Sequence, residues 1–191
     1  IPAEPLFRSA VLVGMLAVGT ILPSEWIIEQ LPTSMPSATE QLLQSIMKEP
    51  TGYLAVGILG PVAEEMVFRG AVLRTLLNLF SQKSHWWAIL ISAVLFGAIH
   101  FNTAQFAHAL PIGLLLGWMY YRTGSILPGL LFHWVNNTVA YLMFNLMPQL
   151  GDGKLIDLFH GSNHSLGMGL FFSVCIILPC LFQLNMRMKK G

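Results

Sequence analysis

Six long apolar runs leave this chain few folds to choose from. They cover roughly residues 6–23, 51–76, 86–101, 104–121, 125–147 and 166–186, and a helix needs about 20 mostly apolar residues to span a bilayer. Inside hydrocarbon every backbone N–H and C=O must find a partner within the protein, which admits only helices and closed barrels. Runs this long without strict alternation select helices. Composition agrees, with 54% of the 191 residues apolar and only 10% charged, against about 25% charged in a soluble domain. The expected fold is all-α, a polytopic transmembrane helix bundle of about six spans that forms a single integral membrane domain over residues 1–191. The third and fourth runs are short and meet in a tight connection near Phe101-Asn102-Thr103. Residues 24–50 and 151–165 read as polar connections. The first run, over 6–22, is also compatible with a signal-peptide core, but it lacks a small-x-small cleavage site and a strongly basic flank, so it counts as a span.

Charge then orients the bundle. With the N-terminus on one side, that side carries Arg8, Arg74, Lys83, Arg122, Arg187, Lys189 and Lys190 against Glu4 alone. The other side carries Glu25, Glu29, Glu40, Glu49, Asp152 and Asp157 against Lys48 and Lys154. Basic residues mark the cytoplasmic side. The expectation is a multi-pass protein of a bacterial cytoplasmic membrane with both termini in the cytoplasm. A net charge of +1 gives no footprint for a nucleic-acid partner.

Three charges remain inside the runs: Glu64, Glu65 and Arg69, within "GPVAEEMVFRGAVL". Ionisable groups at bilayer depth are rare and point to function. Glu65 and Arg69 are four apart and share a helix face, in the favourable acid-first order for an ion pair. Glu64 is rotated about 100° from Glu65, outside that pair. Elsewhere "FGAIH" places Phe96 and His100 on one helix face, and "HWVNN" does the same for His133 and Asn137. Counted from the cytoplasmic ends, Glu64 lies about 18 Å deep, His100 about 21 Å and His133 about 12 Å. These groups can therefore meet in a bundle. A carboxylate removed from bulk water can take a proton from a water molecule, with His100 sharing or orienting that water. His133 and Asn137 can donate to an oxyanion forming on a carbonyl. Together the set suits amide hydrolysis without an acyl-enzyme, because no serine or cysteine nucleophile stands beside the histidines. The alternative is a zinc site on Glu64, His100 and His133 with an open position. It lacks the usual H-E-x-x-H arrangement, so no cofactor is expected.

The three motifs, E-E-x-x-x-R (Glu64, Glu65, Arg69), F-x-x-x-H (Phe96, His100) and H-x-x-x-N (His133, Asn137), occur in the order seen in the CAAX protease and bacteriocin-processing family, also called the Abi family. The resemblance covers about residues 60–140. It implies an all-helical intramembrane endopeptidase in which Glu64 activates water with His100, His133 and Asn137 form the oxyanion site, and Glu65, Arg69 and Phe96 support them. The implied partners are the lipid bilayer and a membrane-associated peptide or protein, which in eukaryotic relatives is a prenylated protein cut after its modified cysteine. Family members are often described with about eight spans. With Ile1 in place of Met, that suggests either additional N-terminal sequence or a shorter member of the family. A non-catalytic reading also stands, in which the same fold confers bacteriocin self-immunity or scaffolds a membrane complex.

Other polar positions read as structural. His108 in the fourth span suggests helix-packing polarity, with a place lining the cavity as the alternative, and His160 and His164 suggest a solvated loop. His85, Trp86 and Trp87 mark a membrane edge. Gly113 and Gly117 suggest close packing within the bundle. Cys175 and Cys180, five apart, suggest small buried apolar residues with no disulfide.

Overall fold

Each of the six apolar runs is helical in the computed structural model, which describes residues 3–31, 37–80, 84–101, 103–147 and 154–188. Seven helices and no strand occur among the described residues. They are α1 (Ala3–Glu29), α2 (Ser37–Lys48), α3 (residues 54–79), α4 (His85–Ala98), α5 (Thr103–Thr123), α6 (Leu127–Leu146) and α7 (Asn163–Arg187), with a 3₁₀ turn over Leu155–Phe159 before α7. The protein is an all-α membrane helix bundle. Arg8–Glu29 and Asn163–Arg187 are long and apolar enough to cross a bilayer, with mean hydropathies of 1.8 and 2.2. The outward faces carry what lipid would favour: Leu59, Met66 and Val67 on α3, Trp86 and Trp87 on α4, and Phe171, Phe172, Leu178 and Phe182 on α7.

The core is stitched from four helices. Val13, Leu16 and Ala17 of α1 meet Ile112, Leu116 and Met119 of α5, Phe132 of α6, and Cys180 and Leu184 of α7. A second patch joins Leu73 of α3 to Ala88 and Ile89 of α4. Small residues let α4 and α5 approach closely. A Cβ on Gly113 would lie 3.0 Å from the Cβ of Ala93, and one on Gly117 would lie 2.9 Å from Ile89 Cγ2. The G-x-x-x-G stripe therefore packs inside the bundle. Cys180 is buried, but Cys175 lies exposed on α7, contrary to its expected burial; both thiols are free.

Polar ties close the two ends. Arg122 at the end of α5 donates from Nε to Met188 O and from Nη2 to Asn185 O, both at 2.6 Å, which satisfies carbonyls left over at the end of α7. At the opposite end the Leu155 N–H donates to Glu29. There Tyr141 Oη also donates to Glu49 O at 2.9 Å, and Asn145 Nδ2 donates to Met47 O at 3.0 Å.

Three expectations need correction. Residues 24–50 are not one open connection: α1 runs on to Glu29, and α2 occupies Ser37–Lys48. Leu42, Leu43, Ile46 and Met47 have helical spacing, but a twelve-residue helix falls below a search for spans. Within 151–165, the 3₁₀ turn and the start of α7 replace an open loop, with Asp152 outside the described residues. Finally, α4 stops at Ala98, so His100 sits in the turn beyond it; Phe101, with φ at 51°, ends the helical path.

Candidate active site

Helix α3 sets the two carboxylates. Gly60–Glu65 is α-helical, while the flanking Leu54–Leu59 and Met66–Leu73 are π-helical, a wider winding that recurs at functional sites. Pro61 lies inside α3, where its missing N–H falls at the change from π-helical to α-helical winding. Adjacent in sequence, Glu64 and Glu65 face different surroundings. The Glu65 side chain is 0% exposed and that of Glu64 is 29% exposed.

Glu65 belongs to a buried network. Arg69 Nη1 donates to its Oε1 at 2.8 Å, and Arg69 Nη2 reaches Gly113 O at 3.3 Å. The guanidinium lies 4.5 Å above the Phe96 ring, a cation–π placement made stronger by burial. Phe68 and Ala109 pack with Phe96 to form an apolar floor. His133 then bridges the carboxylates, with Nδ1 3.2 Å from Glu65 Oε1 and Nε2 3.4 Å from Glu64 Oε2. The imidazole thus stands between two acceptors, one from each carboxylate.

Glu64, His100, His133 and Asn137 all line one cavity of about 380 Å³, together with Phe96. His100 Nδ1 lies 3.0 Å from Phe96 O. A carbonyl can only accept, so the ring proton sits at Nδ1 and Nε2 keeps a lone pair. Asn137 Nδ2 donates to Val56 O at 3.0 Å, within the π-helical start of α3. One amide hydrogen of Asn137 is committed to α3, and both ring nitrogens of His133 face carboxylates.

Two further titratable groups line the same cavity. Glu25 of α1, read from sequence as a loop charge, stands in the wall, as does His108 of α5, read as packing polarity. Glu25 lies at the edge of an apolar run, where counting spans assigns charges to loops. His108 is eight residues beyond His100 and across a turn, a spacing that no single-helix motif captures. Ile21, Ile28, Leu43 and Ile112 make much of the remaining wall apolar. Among the described residues, no three His, Cys, Asp or Glu side chains group as metal ligands.

Residues 47–139 match the family described as Type II CAAX prenyl endopeptidase Rce1-like. This match supports the CAAX protease and bacteriocin-processing family. The matched stretch holds the walls supplied by α3, α4 and α5 and most of that from α6, whereas Glu25 and the rest of α1 lie outside it. A Bacillus subtilis (strain 168) protein named "Putative membrane peptidase YdiL" is 28% identical over 105 residues, which is 55% of this chain and 42% of that protein. The chain thus covers less than half the length of this relative. No solved structure matches the chain.

Proposed function

We propose that this chain is an intramembrane endopeptidase that hydrolyses a peptide bond with water activated by Glu64. The observation that carries the reading is the division of labour between neighbouring carboxylates. Glu65 is enclosed and held by Arg69, whereas Glu64 reaches the cavity beside His100 and His133. A purely structural ion pair has no need of the second acid.

In the proposed reaction Glu64 takes a proton from water while the lone pair on His100 Nε2 orients that water. The resulting hydroxide adds to the carbonyl carbon, and the carbonyl oxygen becomes an oxyanion. The second N–H of Asn137 and the proton shared by His133 supply donors near it. Collapse breaks the C–N bond, and the proton held by Glu64 passes to the leaving amine. No metal enters this scheme, in keeping with the engagement of His133 by two carboxylates. Apolar walls favour an apolar, membrane-associated peptide segment. Lipidation is the substrate feature to test first, because the matching family is named for prenyl endopeptidases.

The charge separation between the bundle ends supports both termini on the cytoplasmic side of a multi-pass protein. The end bearing α2 would then face the other compartment. The test is cleavage of a fluorogenic lipopeptide by the purified chain. Glu64→Ala and His100→Ala should each lower kcat/KM by about 100-fold or more. If both variants cleave like the parent chain, the roles of Glu64 and His100 fail; if the parent chain cleaves nothing, a binding role such as self-immunity takes its place.

A further inference from the structure

The cavity holds one imidazole that the proposed reaction does not use. His108 lines the wall beside Ala109 and Ile112, and it lies within electrostatic reach of both His100 and His133. Its Nδ1 is enclosed and has no hydrogen-bond partner among the described residues. Placing the ring proton on that nitrogen would bury an unsatisfied donor, which is costly. The neutral ring therefore carries its proton on Nε2, the nitrogen left to meet whatever enters the cavity.

The neighbouring donors are differently occupied. His100 presents a lone pair, His133 is shared between Glu64 and Glu65, and Asn137 spends one N–H on Val56 O. We propose that His108 donates a hydrogen bond from Nε2 to the scissile carbonyl oxygen and holds the oxyanion that forms there. This role rests on the endopeptidase reading and makes His108 a catalytic residue of it. Only a hydrogen bond is involved: the proton stays on His108, and the water's proton travels by way of Glu64. Such a donor matters most where water is scarce, and Ala109, Ile112 and Phe96 keep that part of the wall apolar.

The test uses the full chain in detergent, with a set of internally quenched apolar peptides and an apolar peptide phosphonate that mimics the tetrahedral anion. His108→Leu should lower kcat by about 100-fold with little change in KM, as for loss of an oxyanion donor. His108→Gln, whose amide N–H reaches about as far as Nε2, should restore most of the rate. His108→Asn, which reaches only to Nδ1, should behave like the leucine variant. In a Glu64→Gln background, His108→Leu should weaken the phosphonate by about tenfold or more and leave the matching amide peptide unchanged. An unaltered kcat in His108→Leu, a loss confined to KM, or rescue by Asn rather than Gln would overturn the assignment. Absence of cleavage by the parent chain counts against the endopeptidase reading. The phosphonate comparison then decides His108 by itself, and equal affinity with and without the imidazole refutes it.

Discussion

Nδ1 of His133 lies 3.2 Å from Oε1 of Glu65, the oxygen that Arg69 also holds at 2.8 Å. One enclosed carboxylate thus anchors α3 to α6 through the histidine, while Arg69 ties the same acid to α5 through Gly113 O. Arg69 is 1% exposed, so removing it strands a buried charge. Breaking such a pair costs about 3–5 kcal/mol. Arg69→Ala should therefore lower the melting temperature in detergent as well as the activity. The double variant Glu65→Leu with Arg69→Leu should lose less stability than either single change, since no charge is left unpaired. An unchanged melting temperature in Arg69→Ala would refute the pair's structural role.

Glu64 should show the opposite profile. Its side chain is 29% exposed and outside the arginine pair, so Glu64→Gln keeps its shape and loses only the charge and the basic oxygen. Cleavage should fall by about 100-fold or more. The melting temperature should stay within about 3 °C, the shift that roughly 1 kcal/mol produces in a chain of this size. Equal losses of stability in Glu64→Gln and Glu65→Gln would mean that both acids are structural.

The reach of sequence reasoning follows from what side chains reveal. Glu64, Glu65, Arg69, His100, His133 and Asn137 stand out because polar groups at helical spacing interrupt apolar runs, and the fold brings the expected cavity residues together. The partners of those groups were less legible. Asn137 bonds to the backbone carbonyl of Val56 and His100 to that of Phe96, and a carbonyl has no sequence identity to read. The π-helical winding on either side of Glu64 is likewise a matter of backbone register. Helix α2 escaped because it is too short to span, and Glu25 because it lies where a run fades into polar residues. His108 read first as packing polarity and only second as a cavity residue, because its place depends on α4 and α5 folding back on each other.

Glycine positions should separate the site from the rest of the bundle. A Cβ on Gly129 of α6 would stand 2.8 Å from Glu65 Oε2, closer than carbon and oxygen tolerate. Gly129→Ala must displace Glu65 or α6, at a cost of about 1–3 kcal/mol, and disturb the His133 bridge. Gly14→Ala in α1 meets nothing within 4 Å and should be neutral, or stabilising by up to about 1 kcal/mol through helix propensity. Thermal melts and cleavage rates of the two variants make the comparison. A Gly129→Ala chain as stable and active as Gly14→Ala would show that α6 does not seat closely on Glu65.

Chelators provide the last discrimination. The zinc alternative asks Glu64, His100 and His133 to converge on one ion, with imidazole nitrogens about 2.0–2.1 Å from it. His133 would have to turn a ring nitrogen away from a carboxylate that it now faces, releasing either Glu64 or Glu65. Freeing Glu65 also leaves Arg69 with a weakened network, so metal binding there would compete with the ion pair instead of reinforcing it. Prolonged EDTA treatment should accordingly leave both cleavage rate and melting temperature unchanged. Loss of activity with EDTA and its recovery with zinc alone would replace the glutamate-activated water with a metal-bound one, and His133 would then be a ligand in place of a bridge.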